Sequence, residues 1–134
     1  MPNLIDGYLQ ILLDVIGDSP IVRSFDIFLD KRTLLSGFVR GDLYFLDGTR
    51  LHFRELIEAS DKINKHMYSY HYQEADGALI FRYDDTPHHE GLPGFPHHKH
   101  SRNETNVVAA DPPELIDVLN EIQSLYPLKR PNTS

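Results

Sequence analysis

Two Asp-Gly dipeptides constrain this chain more than any other feature. Asp47-Gly48 and Asp76-Gly77 each sit between runs that alternate apolar and polar residues. That pattern marks an antiparallel hairpin, because the glycine supplies the positive φ that tight loops need. At the first turn, a three-residue loop of Leu46, Asp47 and Gly48 pairs Leu43 with Leu51 and Asp42 with His52. Val39, Leu43, Phe45, Leu51 and Phe53 then share one apolar face, which is the register that best separates apolar from polar residues. At the second turn two registers stay open. A three-residue loop pairs Tyr72 with Ile80 and Tyr70 with Arg82, whereas a two-residue loop pairs His71 with Arg82 and Ser69 with Asp84. In both, Arg82 and Asp84 lie on one face, two residues apart.

The flanking segments complete an α+β layout. Residues 4–16 place apolar side chains at steps of three and four, the spacing of an amphipathic helix, with Asn3 as its cap and Gly17 at its end. Residues 21–30 alternate as a strand, and 106–110 read as a short last strand. Asp111-Pro112-Pro113-Glu114 then opens a helix, with Asp111 as cap and Leu115, Val118, Leu119, Ile122 and Leu125 as its buried stripe. The expectation is a single α+β domain over 1–126, followed by a frayed C-terminal tail over 127–134. Its sheet is mostly antiparallel, of about five or six strands, with the N- and C-terminal helices packed on one face. The other face is left partly open, and a site can sit there.

Composition removes several classes of function. With 13 Lys and Arg against 20 Asp and Glu, the 134-residue chain carries a formal net charge of −7. A generic nucleic-acid coat needs net basic surface, so any phosphate contact has to be local. The absence of Cys removes disulfides, thiol nucleophiles, iron–sulfur clusters and thiolate zinc sites. Apolar runs are short, so nothing is expected to span a membrane. The start, MPNLIDGYLQ, lacks the basic-then-apolar order of a signal peptide, which points to a cytoplasmic address. No P-loop, dinucleotide fingerprint or nucleophile elbow occurs.

Five of the eight histidines fall within residues 85–104: His88, His89, His97, His98 and His100. Pro87, Pro93, Pro96, Gly91 and Gly94 in the same stretch predict a long loop, since neither a helix nor a central strand tolerates them. Three readings compete for Phe81-Arg82-Tyr83-Asp84-Asp85-Thr86-Pro87-His88-His89 and Phe95-Pro96-His97-His98-Lys99-His100. The first is acid–base chemistry on a phosphodiester. His88, His97 and His100 would move protons, Arg82 and Lys99 would stabilise phosphorane charge, and Asp84 would orient an imidazole. It needs no cofactor. The second is a divalent metal held by His88, His97, His98 and His100, although adjacent histidines on an extended chain point opposite ways and no standard ligand spacing is present. The third is structural: imidazoles that bond carbonyls in a stiff loop, and an Arg82–Asp84 pair on the sheet.

Substrate contacts are expected from Tyr70, His71 and Arg102. Tyr68, Tyr70 and Tyr72 share a strand face and read either as core or as a stacking wall for bases, with His71 on the opposite face. His52 beside Arg50 and Arg54 reads as a solvated face, with a phosphate-contacting edge as the alternative.

Several of these segments together resemble the TumE-type proteins, toxin components of toxin–antitoxin pairs. The resemblance is carried by Asp47-Gly48-Thr49 with Leu51-His52-Phe53-Arg54-Glu55, by Tyr68-Ser69-Tyr70-His71-Tyr72, and by Leu79-Ile80-Phe81-Arg82-Tyr83-Asp84-Asp85 leading to Pro87-His88-His89. Phe95-Pro96-His97-His98-Lys99-His100 and the closing Pro-Pro-x-Leu helix with Val118-Leu119 extend it over about residues 20–125. One departure is Asp85, where the family more often has Asn. The resemblance implies a growth-inhibiting toxin paired with a DNA-binding antitoxin. Its layout is also similar to that of RelE-type ribonuclease toxins, at the level of fold only. The expected function is metal-independent cleavage of RNA, free or on the ribosome, with a homodimer left open. The rivals are a non-catalytic partner of a DNA-binding regulator and a His-ligated metal-dependent hydrolase.

Overall fold

The computed structural model describes residues 4–85, 96–103 and 105–129. Both Asp-Gly signals become turns, and both glycines take positive φ, 88° at Gly48 and 94° at Gly77. Helix α1 (Leu4–Gly17) leads into strands β1 (Val22–Lys31), β2 (Ser36–Phe45), β3 (Arg50–Ala59), β4 (Ile63–Gln73), β5 (Leu79–Asp84), β6 (His98–Ser101) and β7 (Val107–Ala109), and helix α2 (Leu115–Lys129) follows. The seven strands form one sheet in sequence order, each antiparallel to the next. Both helices lie on one face, as expected.

The first hairpin takes the expected register, Leu43 opposite Leu51 and Asp42 opposite His52. The second uses both candidate registers. At its tip Glu74 and Gly77 close a three-residue loop, with Glu74 N–H donating to the Ala78 carbonyl at 2.8 Å. A bulge then shifts the pairing from Gln73–Leu79 to Tyr72–Phe81, so His71 faces Arg82 and Ser69 faces Asp84. Ile80 is the extra residue, and its carbonyl accepts the Arg102 N–H at 2.9 Å rather than a ladder bond.

The core lies between the sheet and the two helices. Ile5, Leu12 and Ile16 of α1 and Leu115, Val118, Leu119 and Ile122 of α2 close over Val39, Leu43, Phe45, Leu51, Phe53, Ile57 and the three tyrosines of β4. Gly41 sits on this face because nothing larger fits: a Cβ there would come within 2.6 Å of both Ile27 Cδ1 and Phe53 Cε1.

Three sequence expectations change. Residues 98–101 are not loop but an inner strand, since every proline and glycine of that stretch lies at or before Pro96. Asp111 does not cap α2. Glu114 does: its carbonyl accepts from Asp117 and Val118, and the Asp117 carboxylate returns to the Glu114 N–H at 2.9 Å. Finally, α2 runs to Lys129, beyond the boundary at residue 126.

Candidate functional site

Strand parity sorts the chemistry onto the face away from the helices. Arg50, His52 and Arg54 alternate with buried Leu51, Phe53 and Glu55 on β3. Ser69, His71 and Gln73 alternate with buried Tyr68, Tyr70 and Tyr72 on β4. The antiparallel ladder then aligns Asp42, His52, His71, Arg82 and His100 across five successive strands. One step along, Arg40, Arg54, Ser69, Asp84 and His98 form a second row. Cross-strand neighbours in such rows have Cα atoms about 4.5–5.5 Å apart, so their side chains meet.

Between these rows lies an open groove of about 490 Å³, lined by Arg50, His52, Arg54, Ser69, His71, Gln73, Arg82 and Asp84. Three guanidinium groups and two imidazoles against one carboxylate make it a cationic trough in an acidic chain. Arg50 Nε is buried with no hydrogen-bond partner among the described residues. His52 Nδ1 lies 2.9 Å from Asp42 Oδ1. A carboxylate only accepts, so Nδ1 carries the hydrogen of this bond, which orients the ring.

At one end of the groove Arg82 Nε donates to Asp84 Oδ2 at 2.8 Å. Asp84 Oδ1 is 2.6 Å from His98 Nε2, and Oδ2 is 4.0 Å from His100 Nε2. The other nitrogen of His98 donates to the Pro96 carbonyl at 2.8 Å. The two rings meet edge to face, with centroids 4.9 Å apart. All three side chains are buried, at 4% exposure for Asp84, 1% for His98 and 3% for His100.

A family model described as Toxin TumE matches residues 12–126. The chain belongs to the TumE toxin family. Membership makes it the toxin component of a toxin–antitoxin system and implies an antitoxin partner. No curated protein and no solved structure matches the chain. Among the described residues of this TumE-family protein, no helix is long and apolar enough to cross a membrane.

The residues expected from sequence divide cleanly on this TumE-family fold. Arg82, Asp84, His100, His98 and His71 come together on the groove side. Lys99 does not. It is one residue out of phase with His98 and His100, so it points to the helix side, where Nζ donates to Glu121 at 2.6 Å. Tyr70 is also on the helix side, fully buried and donating to Glu55, so the tyrosines of β4 are core and not a stacking wall. His97 packs flat on Tyr68, with Nδ1 3.0 Å from the phenol oxygen. Arg102 occupies the β6–β7 turn at φ 66°, exposed and 3.8 Å from Glu74. His88 and His89 lie outside the described residues.

The sequence reads Arg50, His52 and Arg54 first as a solvated face, with a phosphate-contacting edge only as the alternative, and Gln73 is not among the expected site residues. Their alternation with apolar neighbours was visible, but only the pairing of β3 with β4 and β5 brings them to Arg82. Asp85 accepts the Tyr68 N–H at 3.2 Å. An asparagine oxygen could accept the same bond.

Proposed function

We propose that this toxin binds a short stretch of single-stranded RNA in the groove and cleaves it by metal-independent acid–base chemistry. The observation that carries the reading is the convergence of three arginines and two histidines on one open sheet face in a chain of net charge −7. His52, oriented through Nδ1 by Asp42, takes the proton from a ribose 2′-hydroxyl at Nε2. The freed oxygen attacks the neighbouring phosphorus. His71, its cross-strand neighbour, gives a proton to the departing 5′-oxygen, leaving a 2′,3′-cyclic phosphate and a 5′-hydroxyl. Arg82, held by Asp84, stabilises the charge on the equatorial oxygens together with Arg50 and Arg54. His100 backs Arg82 across the ladder.

An acidic body limits RNA contact to this trough, which suits a few-nucleotide footprint on free RNA or on the ribosome. The cognate antitoxin is proposed to be a DNA-binding protein, in keeping with the family resemblance.

The test is cleavage of a labelled RNA oligonucleotide by the purified chain in excess chelator, alongside growth arrest on induction. His71→Ala and Arg82→Ala each lower cleavage by about 100-fold or more while circular dichroism and melting stay near those of the parent. A folded His52→Ala/His71→Ala double variant that still arrests growth at full strength overturns the assignment. Loss of cleavage in chelator overturns its metal independence.

A further inference from the structure

The pair His98 and His100 is separated by one residue on a strand. An extended chain puts both imidazoles on the same face. The antiparallel neighbour of His98 on β5 is Asp84. Topology therefore brings two imidazoles and one carboxylate to a single point, contributed by two strands that are joined through residues 85–97.

We infer that Asp84, His98 and His100 form a binding site for one divalent transition cation of the zinc class. One ligand atom from each of the three lies within 4.8 Å of the others. In a tetrahedral site with bonds of about 2.0–2.1 Å, ligand atoms stand roughly 3.3 Å apart. The present spacings bracket that value, from 2.6 Å between His98 Nε2 and Asp84 Oδ1 to at most 4.8 Å across the set. Side-chain shifts of up to about 1.5 Å close the set.

Two neighbours prepare these atoms. The Pro96 carbonyl takes the Nδ1 hydrogen of His98 at 2.8 Å, which fixes the ring orientation and turns Nε2 inward. Such a second hydrogen bond is the usual companion of a ligating histidine. Arg82 Nε donates to Asp84 Oδ2 at 2.8 Å, while Oδ1 is the oxygen turned to His98 Nε2 and so is the ligand atom. The guanidinium opposes the cation electrostatically, so the site selects an ion that gains strongly from nitrogen ligands. Zinc, nickel and copper do; magnesium and calcium, which prefer oxygen, do not. Asp84 also lines the groove, so the bound ion would sit beside Arg82 at one end of it.

The test uses the full chain without a histidine tag, stripped by chelator, with no RNA present. Zinc titrated by calorimetry is expected to bind at one equivalent with a dissociation constant on the order of 1 μM or below. Cobalt is expected to develop the visible absorption of a four-coordinate site. His98→Gln and His100→Gln each weaken binding by about 100-fold or more, whereas the exposed His66→Gln leaves it unchanged. Should the variants misfold, nitrogen-15 spectra of the parent decide: zinc shifts Nε2 of His98 and His100. No stoichiometric binding, or shifts confined to other histidines, overturns the site. Since the readout is ion binding, failure of RNA cleavage leaves this result unaffected.

Discussion

Glu55 is fully buried on the helix side of β3, and three groups answer its charge. The hydroxyls of Tyr8 and Tyr70 donate to its two oxygens. Lys65 Nζ stands 3.3 Å away and also donates to the Pro113 carbonyl and to Glu114, each at 3.1 Å. A carboxylate in a core is tolerable only when its lone pairs are used, and here one residue ties α1, the sheet and the start of α2 together. Glu55→Ala strands the ammonium and two hydroxyls, and should cost about 3–5 kcal/mol in denaturant melts. Tyr70→Phe removes one donor and should cost about 1–2 kcal/mol.

The same burial holds these phenols protonated. Tyr8 and Tyr70 are pushed up by desolvation first and then by the Glu55 charge. Tyr68 is raised by burial and by Asp85 and Asp84, and Tyr83 by burial and its bond to Glu121. A raised folded value means the unfolded chain loses these protons first. Stability is therefore complete below about pH 10, the ordinary tyrosine value, and falls as pH rises above it. Phenolate absorbance of the four should appear only together with loss of the far-ultraviolet signal. Ionisation of all four in a still-folded chain would contradict this.

At the scale of elements, β6 faces two ways. His98 and His100 turn to the groove, while Lys99 turns to α2. Glu121 receives both Lys99 and Tyr83 at 2.6 Å, clamping α2 over β5 and β6. Lys99→Ala should cost about 1 kcal/mol of stability and leave RNA cleavage within about twofold of the parent. A loss comparable with that of Arg82→Ala would return Lys99 to the site. On β2, Gly41→Ala forces Ile27 and Phe53 apart and should cost about 1–3 kcal/mol, read from the denaturant midpoint.

For the whole molecule, charge is unevenly placed. The groove concentrates Arg50, Arg54 and Arg82 while the net charge is −7. Neutralising about three phosphates on a single strand predicts a slope of log affinity against log salt near −2. Raising salt from about 50 to 200 mM should then weaken RNA binding roughly 20-fold. A much steeper slope would mean that RNA runs well beyond the groove.

Local sequence determined the hairpins, the helices, the apolar face and the family, because turn glycines and side-chain periodicity act over a few residues. It also placed Arg82 and Asp84 on one face. Tertiary pairing decided the rest. Arg50, His52 and Arg54 became groove residues only when β3 was registered against β4 and β5. Lys99 left the site because strand parity, invisible while 85–104 read as loop, turned it toward α2, and Tyr70 left it because the helices cover the tyrosine face of β4. Proximity in sequence brought the histidines to notice; the alternation of a strand, fixed by its neighbours' hydrogen bonds, chose which of them face the groove.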